Sequence, residues 1–190
     1  MRVVAVAGSS RRGDNSDTLL GAALELLRER GAEVETIVPR QLDIRPCAAC
    51  GGCWDTGVCV VKDGMQDLYR RFIEADHLVV ASPLYFASVP GHLKVLIDRF
   101  QCYWVRTFRL HDPPQPRRTG MFLAVGAMDR ERYYRCAGSV VKSWMATLNV
   151  KCTVTRHYTG LDARDDVTGR PEMIEDARRA AEELLGSAPE

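Results

Sequence analysis

The chain has 190 residues, 46% apolar and 27% charged, with a formal net charge of +1. That length suits one domain over 1–190 with a sizeable core, and the near-neutral charge points to neither nucleic acid nor an anionic membrane as a partner. No apolar run approaches the roughly 20 residues of a membrane helix, and MRVVAVAGSS lacks the cleavage site of a secretory signal. A cytoplasmic protein with reduced thiols is therefore expected.

Arg2 to Ala7 (RVVAVA) is short, β-branched and continuously apolar, as a strand buried on both faces should be. The polar loop Gly8 to Asn15 follows. Ser16 to Arg30 then carries Leu19, Leu20, Ala23, Leu24 and Leu27 at helical spacing, and Gly31 stops it. Val34 to Val38 is a second strand. Pro39 to Gly64 is long and irregular, and loops of that length are usually functional. Met65 to Ala75 has helical periodicity. His77 to Ala81 (HLVVA) is a third strand, ending in the loop SPLYFASVPG. Gly91 to Cys102 reads as one helix, and Tyr103 to Arg118, rich in proline and arginine, as a surface excursion. Thr119 to Val125 is strand four, Arg132 to Leu148 a helix and Lys151 to His157 strand five. Pro171 to Leu185 is a terminal helix with proline in its first turn.

Strands and helices alternate throughout, which predicts parallel βαβ units with helices on both faces. Five such strands suit a flavodoxin-like three-layer sandwich, order 2-1-3-4-5. Ligands in such folds bind at the carboxyl ends of the strands, near the switch in strand order.

Three loops meet at that edge. In GSSRRGDNSDT, Ser9, Ser10, Ser16 and Thr18 offer hydroxyls, Asn15 an amide and Arg11 a charged fork. A helix N-terminus adds free N–H groups, so the loop suits a single phosphomonoester. No G-K-[ST] closes it, and Gly8 and Gly13 have the wrong spacing for a dinucleotide motif. In SPLYFASVPG, Leu84, Tyr85 and Phe86 put apolar and aromatic surface just past a strand, where a flat heterocycle can lie. The GAMDRER loop after strand four closes over the same place.

Cys47, Cys50, Cys53 and Cys59 crowd a loop at about 45–62 as C-x2-C-x2-C-x5-C. Such thiolates can hold a [4Fe–4S] cluster or a zinc ion, or pair as disulfides, and the ligand pattern leaves these open. Cys102, Cys136 and Cys152 are far apart and read as ordinary buried thiols. Asp98 and Arg99, adjacent on a helix, face apart and fix separate loops. Arg106, Arg109, Arg117 and Arg118 solvate their loop or attract the 2′-phosphate of NADPH.

GSSRRGDNSDTL resembles the phosphate loop of the NADPH-dependent FMN reductase group, and DGMQDLYRRFIEADHLVVASPLYFASVPGHLKVLIDRF its second signature. PCAACGGCWDTGVC resembles the cysteine motif of iron–sulfur flavoproteins, a branch of that group. The resemblance implies noncovalent FMN, its phosphate on Ser9, Arg11, Asn15, Ser16 and Thr18 and its ring against Pro83, Leu84, Tyr85, Phe86, Gly126 and Ala127. It implies an oxidoreductase that takes electrons from NAD(P)H or a reduced ferredoxin and passes them to a quinone, flavin or other acceptor, with or without a [4Fe–4S] cluster on the four cysteines. It also implies a homodimer or homotetramer. The alternative is an electron carrier without a small-molecule substrate.

Overall fold

The computed structural model describes residues 1–187. Strands β1 (Arg2–Ala7), β2 (Glu33–Ile37), β3 (His77–Pro83), β4 (Arg118–Val125) and β5 (Val150–Tyr158) form one sheet. Its order is β2-β1-β3-β4-β5 and every neighbouring pair is parallel. The helices are α1 (Asn15–Glu29), α2 (Met65–Glu74), α3 (Gly91–Asp98), α4 (Gln101–Phe108), α5 (Glu131–Thr147) and α6 (Pro171–Gly186). This is the flavodoxin-like arrangement expected from the alternation of elements.

Successive strand residues face opposite ways, and both faces are apolar. Val4, Val6, Leu78, Val80 and Phe122 pack with α2, α3 and α5. Val3, Ala5, Val79, Met121 and Leu123 pack with α1 and α6. The central strands β1, β3 and β4 therefore read as largely apolar runs, as two-sided burial demands, whereas the edge strands β2 (EVETI) and β5 (VKCTVTRHY) are mixed. Among the described residues no helix is long and apolar enough to cross a membrane.

The segment between β3 and β4 corrects the sequence reading. The expected single helix over 91–102 breaks at Arg99–Phe100, and a second helix, α4, occupies the start of the expected excursion. The break is anchored. The Arg99 carbonyl accepts from Tyr69 Oη at 2.8 Å, and Phe100 N–H bonds Ile97 O three residues back. Phe100 itself is buried against Tyr69, Phe72 and Trp144. Arg118 is likewise no loop arginine. It opens β4, is 8% exposed, and donates to the carbonyls of Phe72, Ile73 and Ala75 at 2.8–3.0 Å. Those carbonyls end α2 and have no partner within the helix. Of the three cysteines read as buried, Cys136 is exposed and Cys152 half-buried; Cys102 alone matches that reading.

Candidate functional site

The three loops are tied to one another by the sheet itself. Gly8 N–H bonds Ala81 O at 2.8 Å, Leu84 N–H bonds Val125 O at 2.9 Å, and Gly126 N–H bonds Tyr158 O at 2.9 Å. Each loop thus leaves its strand while still paired to the next. Gly8 is required by close approach: a Cβ there would lie 2.6 Å from Leu93 Cδ2 and 2.9 Å from the Ala81 carbonyl.

The first loop has the donor set of an oxyanion site, and it holds an oxyanion of its own. Asp14, 7% exposed, caps α1. Its carboxylate accepts from Ser9 Oγ, from Ser16 Oγ at 2.9 Å, and from the Ser16 and Asp17 amides at 3.1 and 3.2 Å. Two hydroxyls expected to meet phosphate are thus turned onto a side chain. Asn15 is buried and spans to the loop before α6, donating to Ala163 O at 2.8 Å and accepting from Val167 N–H at 3.0 Å. Thr18 Oγ1 bonds the Asp14 carbonyl at 3.2 Å, while Arg11 is exposed. Arg40, just past β2, donates to Ser9 O at 3.2 Å. Burial raises the pKa of the Asp17 carboxyl, although the Gly13 amide opposes that.

Beside this loop, Leu84, Phe86, Gly126, Ala127, Met128 and Tyr133 line a cavity of about 490 Å³. The second and third loops therefore meet, as their positions in the fold require. Phe86 is fully exposed, and both Phe86 and Ala87 have left-handed backbone, φ 51° and 61°. The short antiparallel bridge between Tyr85 and Ser88 makes the turn that projects Phe86 outward. Pro83 ends β3 and Tyr85 is 37% exposed beside it. Gly126 backs onto Tyr134, whose Oη would be 2.8 Å from a Cβ. An apolar, aromatic-walled slot open at a strand end fits a planar ring.

Cys47, Cys50, Cys53 and Cys59 line a second cavity of about 440 Å³, with Arg99 and Cys102 in its wall. Ala49 and Gly51 have positive φ, which curls the loop around this space. Among the described residues no three His, Cys, Asp or Glu side chains converge on a single metal ion. A cube of four irons asks for something else, because it spreads its ligands over the corners of a wide tetrahedron. One observation fits such a group: four thiols share one cavity, with Arg99 in its wall. Burial, and the neighbouring thiols with it, raise the pKa of Cys53.

Three arginines hold the cysteine loop. Arg99 donates to Arg45 O at 2.8 Å and pairs with Asp63 at 2.6 Å. Arg106 Nε bonds Gly57 O at 2.8 Å, and Arg109 bonds Trp54 O at 3.1 Å with its guanidinium 5.1 Å from the Trp54 ring centre. Arg106 and Arg109 were expected to solvate a loop or attract NADPH. Arg40, Arg99 and the capping role of Asp14 were not legible as site features. Asp14, placed just before an apolar periodic helix, carried a signal in its N-cap position. The arginine contacts span 31 to 55 residues of chain and had none.

Comparison with known proteins identifies the family and the fold. The family model for NADPH-dependent FMN reductase matches residues 1–150. An iron–sulfur flavoprotein from Methanosarcina thermophila is 30% identical over 188 residues, 97% of this chain and 95% of that protein. Among solved structures, NAD(P)H:quinone oxidoreductase from Methanothermobacter marburgensis superposes with a TM-score of 0.73 at 21% identity, over 97% of this chain and 98% of that one. An FMN-dependent NADH-azoreductase from Bacillus anthracis, in complex with FMN, gives 0.66 at 12% identity, over 97% and 99%. At these identities the two structures show the shared fold.

Proposed function

The chain belongs to the NADPH-dependent FMN reductase family, and we propose that it passes electrons from NAD(P)H or a reduced ferredoxin, through FMN and a [4Fe–4S] cluster, to a quinone, flavin or other acceptor. FMN, when bound, supplies the hydride and electron chemistry, and the protein supplies binding, orientation and electrostatics. Ser9, Arg11, Asn15, Ser16 and Thr18 hold the phosphate end, while Pro83, Leu84, Tyr85, Phe86, Gly126 and Ala127 hold the ring. For the phosphate to seat on the α1 N-terminus, the Asp14 carboxylate must yield donors it now occupies. Cys47, Cys50, Cys53 and Cys59 are the cluster ligands in this reading. The observation that carries it is one cavity lined by all four cysteines, with a buried arginine in its wall, in a chain that also carries an aromatic slot at its strand ends.

The test is a visible spectrum with iron, sulfide and flavin analysis on anaerobically purified protein. Flavin bands with about four irons per chain support the full reading. Flavin without iron leaves an FMN oxidoreductase and returns the cysteines to thiol chemistry. Protein that cannot be loaded with FMN overturns the reading.

A carrier role has one specific observation in its favour. Trp54, Val58, Val60, Trp104 and Phe108 are 43–55% exposed, on the cysteine loop and on α4, which packs against it. Exposed apolar surface of this kind suits contact with another protein. Reduction by ferredoxin alone, with no NAD(P)H oxidation by small acceptors, selects the carrier.

A further inference from the structure

Arg99 touches both ends of the cysteine loop and one of its sulfurs. Nη1 donates to Arg45 O at 2.8 Å, two residues before Cys47. Nη2 lies 3.4 Å from Val61 O and 3.6 Å from Cys59 Sγ. Asp63 takes both terminal nitrogens, at 2.6 and 3.1 Å. The Arg99 side chain is 1% exposed, and that of Asp63 11%. Guanidinium keeps its proton under any ordinary condition and offers five donors in a rigid fork. All five contacts above use the outer nitrogens. Nε–H is buried and left without a partner.

A fixed cation that donates to ligand sulfur stabilises the reduced, more negative form of an iron–sulfur centre. A carboxylate paired to that cation does the opposite, by offsetting its charge. We infer that Arg99 is a positioning residue for the cysteine site, seating Cys59 as the fourth ligand and raising the reduction potential of the cluster, with Asp63 as its counterweight. This rests on the cluster reading above.

The experiment is redox titration of the reconstituted, FMN-loaded protein, followed by electron paramagnetic resonance, with iron and flavin content as controls. The variants are Arg99→Gln, Arg99→Lys and Asp63→Asn. Lysine keeps the charge but loses the fork. Asparagine keeps hydrogen bonding to the fork but loses the counter-charge. The expected order of cluster potential is R99Q lowest, then R99K, then wild type, with D63N highest. Iron content is expected to fall several-fold in R99Q while bound FMN stays at wild-type level. A merely structural role would not move two partners of one ion pair in opposite directions. Shifts of the same sign in R99K and D63N, or none in either, overturn the inference. If R99Q fails to fold, that opposition still decides. Wild-type protein that takes up FMN but no iron overturns the cluster reading itself, a distinguishable result.

Discussion

The sheet-edge slot and the cysteine loop differ in what holds them. The slot is built by β-ladder hydrogen bonds between consecutive strand ends, and its loops are short. The cysteine loop has few backbone bonds of its own, such as Trp54 N–H to Gly51 O and Gly57 N–H to Cys53 O. It is fastened instead by arginine side chains from the α3–α4 segment. A site made of ladder bonds follows from topology and is shaped whatever it binds. A site made of side-chain clasps depends on a few charges, so its ligand completes it.

The largest expected effect tests that separation. Cys50→Ser should reduce iron to background while FMN stays at wild-type occupancy, measured by iron and flavin content of one preparation. Loss of both would show that the two sites stand or fall together. Next, Gly8→Ala places a methyl group against backbone oxygen and Leu93. Overpacking of this kind costs roughly 1–3 kcal/mol, read as a lower urea midpoint, with weaker FMN binding and intact iron. That pattern would confirm that the ladder end serves the slot alone.

The cysteine side has its own signature in acid. Burial would raise the pKa of Asp63, but the hydrogen bonds from Arg99 and from the Arg45 and Met65 amides outweigh it and hold it at about 2. A carboxyl depressed in the folded state gives stability that is full above the ordinary carboxylate range, near 4. That stability is lost as pH falls toward about 2. It amounts to about 2 kcal/mol. Asp63→Asn should flatten the stability profile between about pH 4 and 2, and an unchanged profile would remove Asp63 from the acid response. A smaller effect is expected on the slot side. Asp14→Asn keeps a good N-cap but removes the carboxylate charge from the phosphate position, so FMN should bind about fivefold tighter, roughly 1 kcal/mol. Fluorescence titration checks this, and riboflavin, which has no phosphate, should be unaffected in a parallel titration.

The sheet order, the helices on both faces and the meeting of the three strand-end loops were legible because periodicity and apolar runs report burial directly. The loops that carry Leu84, Phe86, Gly126 and Ala127 were placed together by topology, and these residues were assigned to the ring by the family resemblance. The break at Arg99–Phe100 was not legible: Leu93, Leu96, Ile97 and Phe100 continue helical spacing across it, and tertiary bonds from Tyr69 and Asp63 override the pattern. The arginines misled for a similar reason. A sequence marks them as charged and says nothing about carbonyls 43 to 55 residues away. Asn15 was legible as a polar loop residue but not as the tie to the segment before α6.

Two neighbouring left-handed residues, Phe86 and Ala87, set a thermodynamic trade. Side chains of this kind lose about 1–2 kcal/mol each in that conformation. The turn is thus less stable than a glycine-bearing one of the same shape. Ala87→Gly should raise the melting temperature by relieving part of that cost. It should also loosen the fully exposed aromatic beside it and so weaken ring binding, a case in which a gain in folding is a loss in readiness.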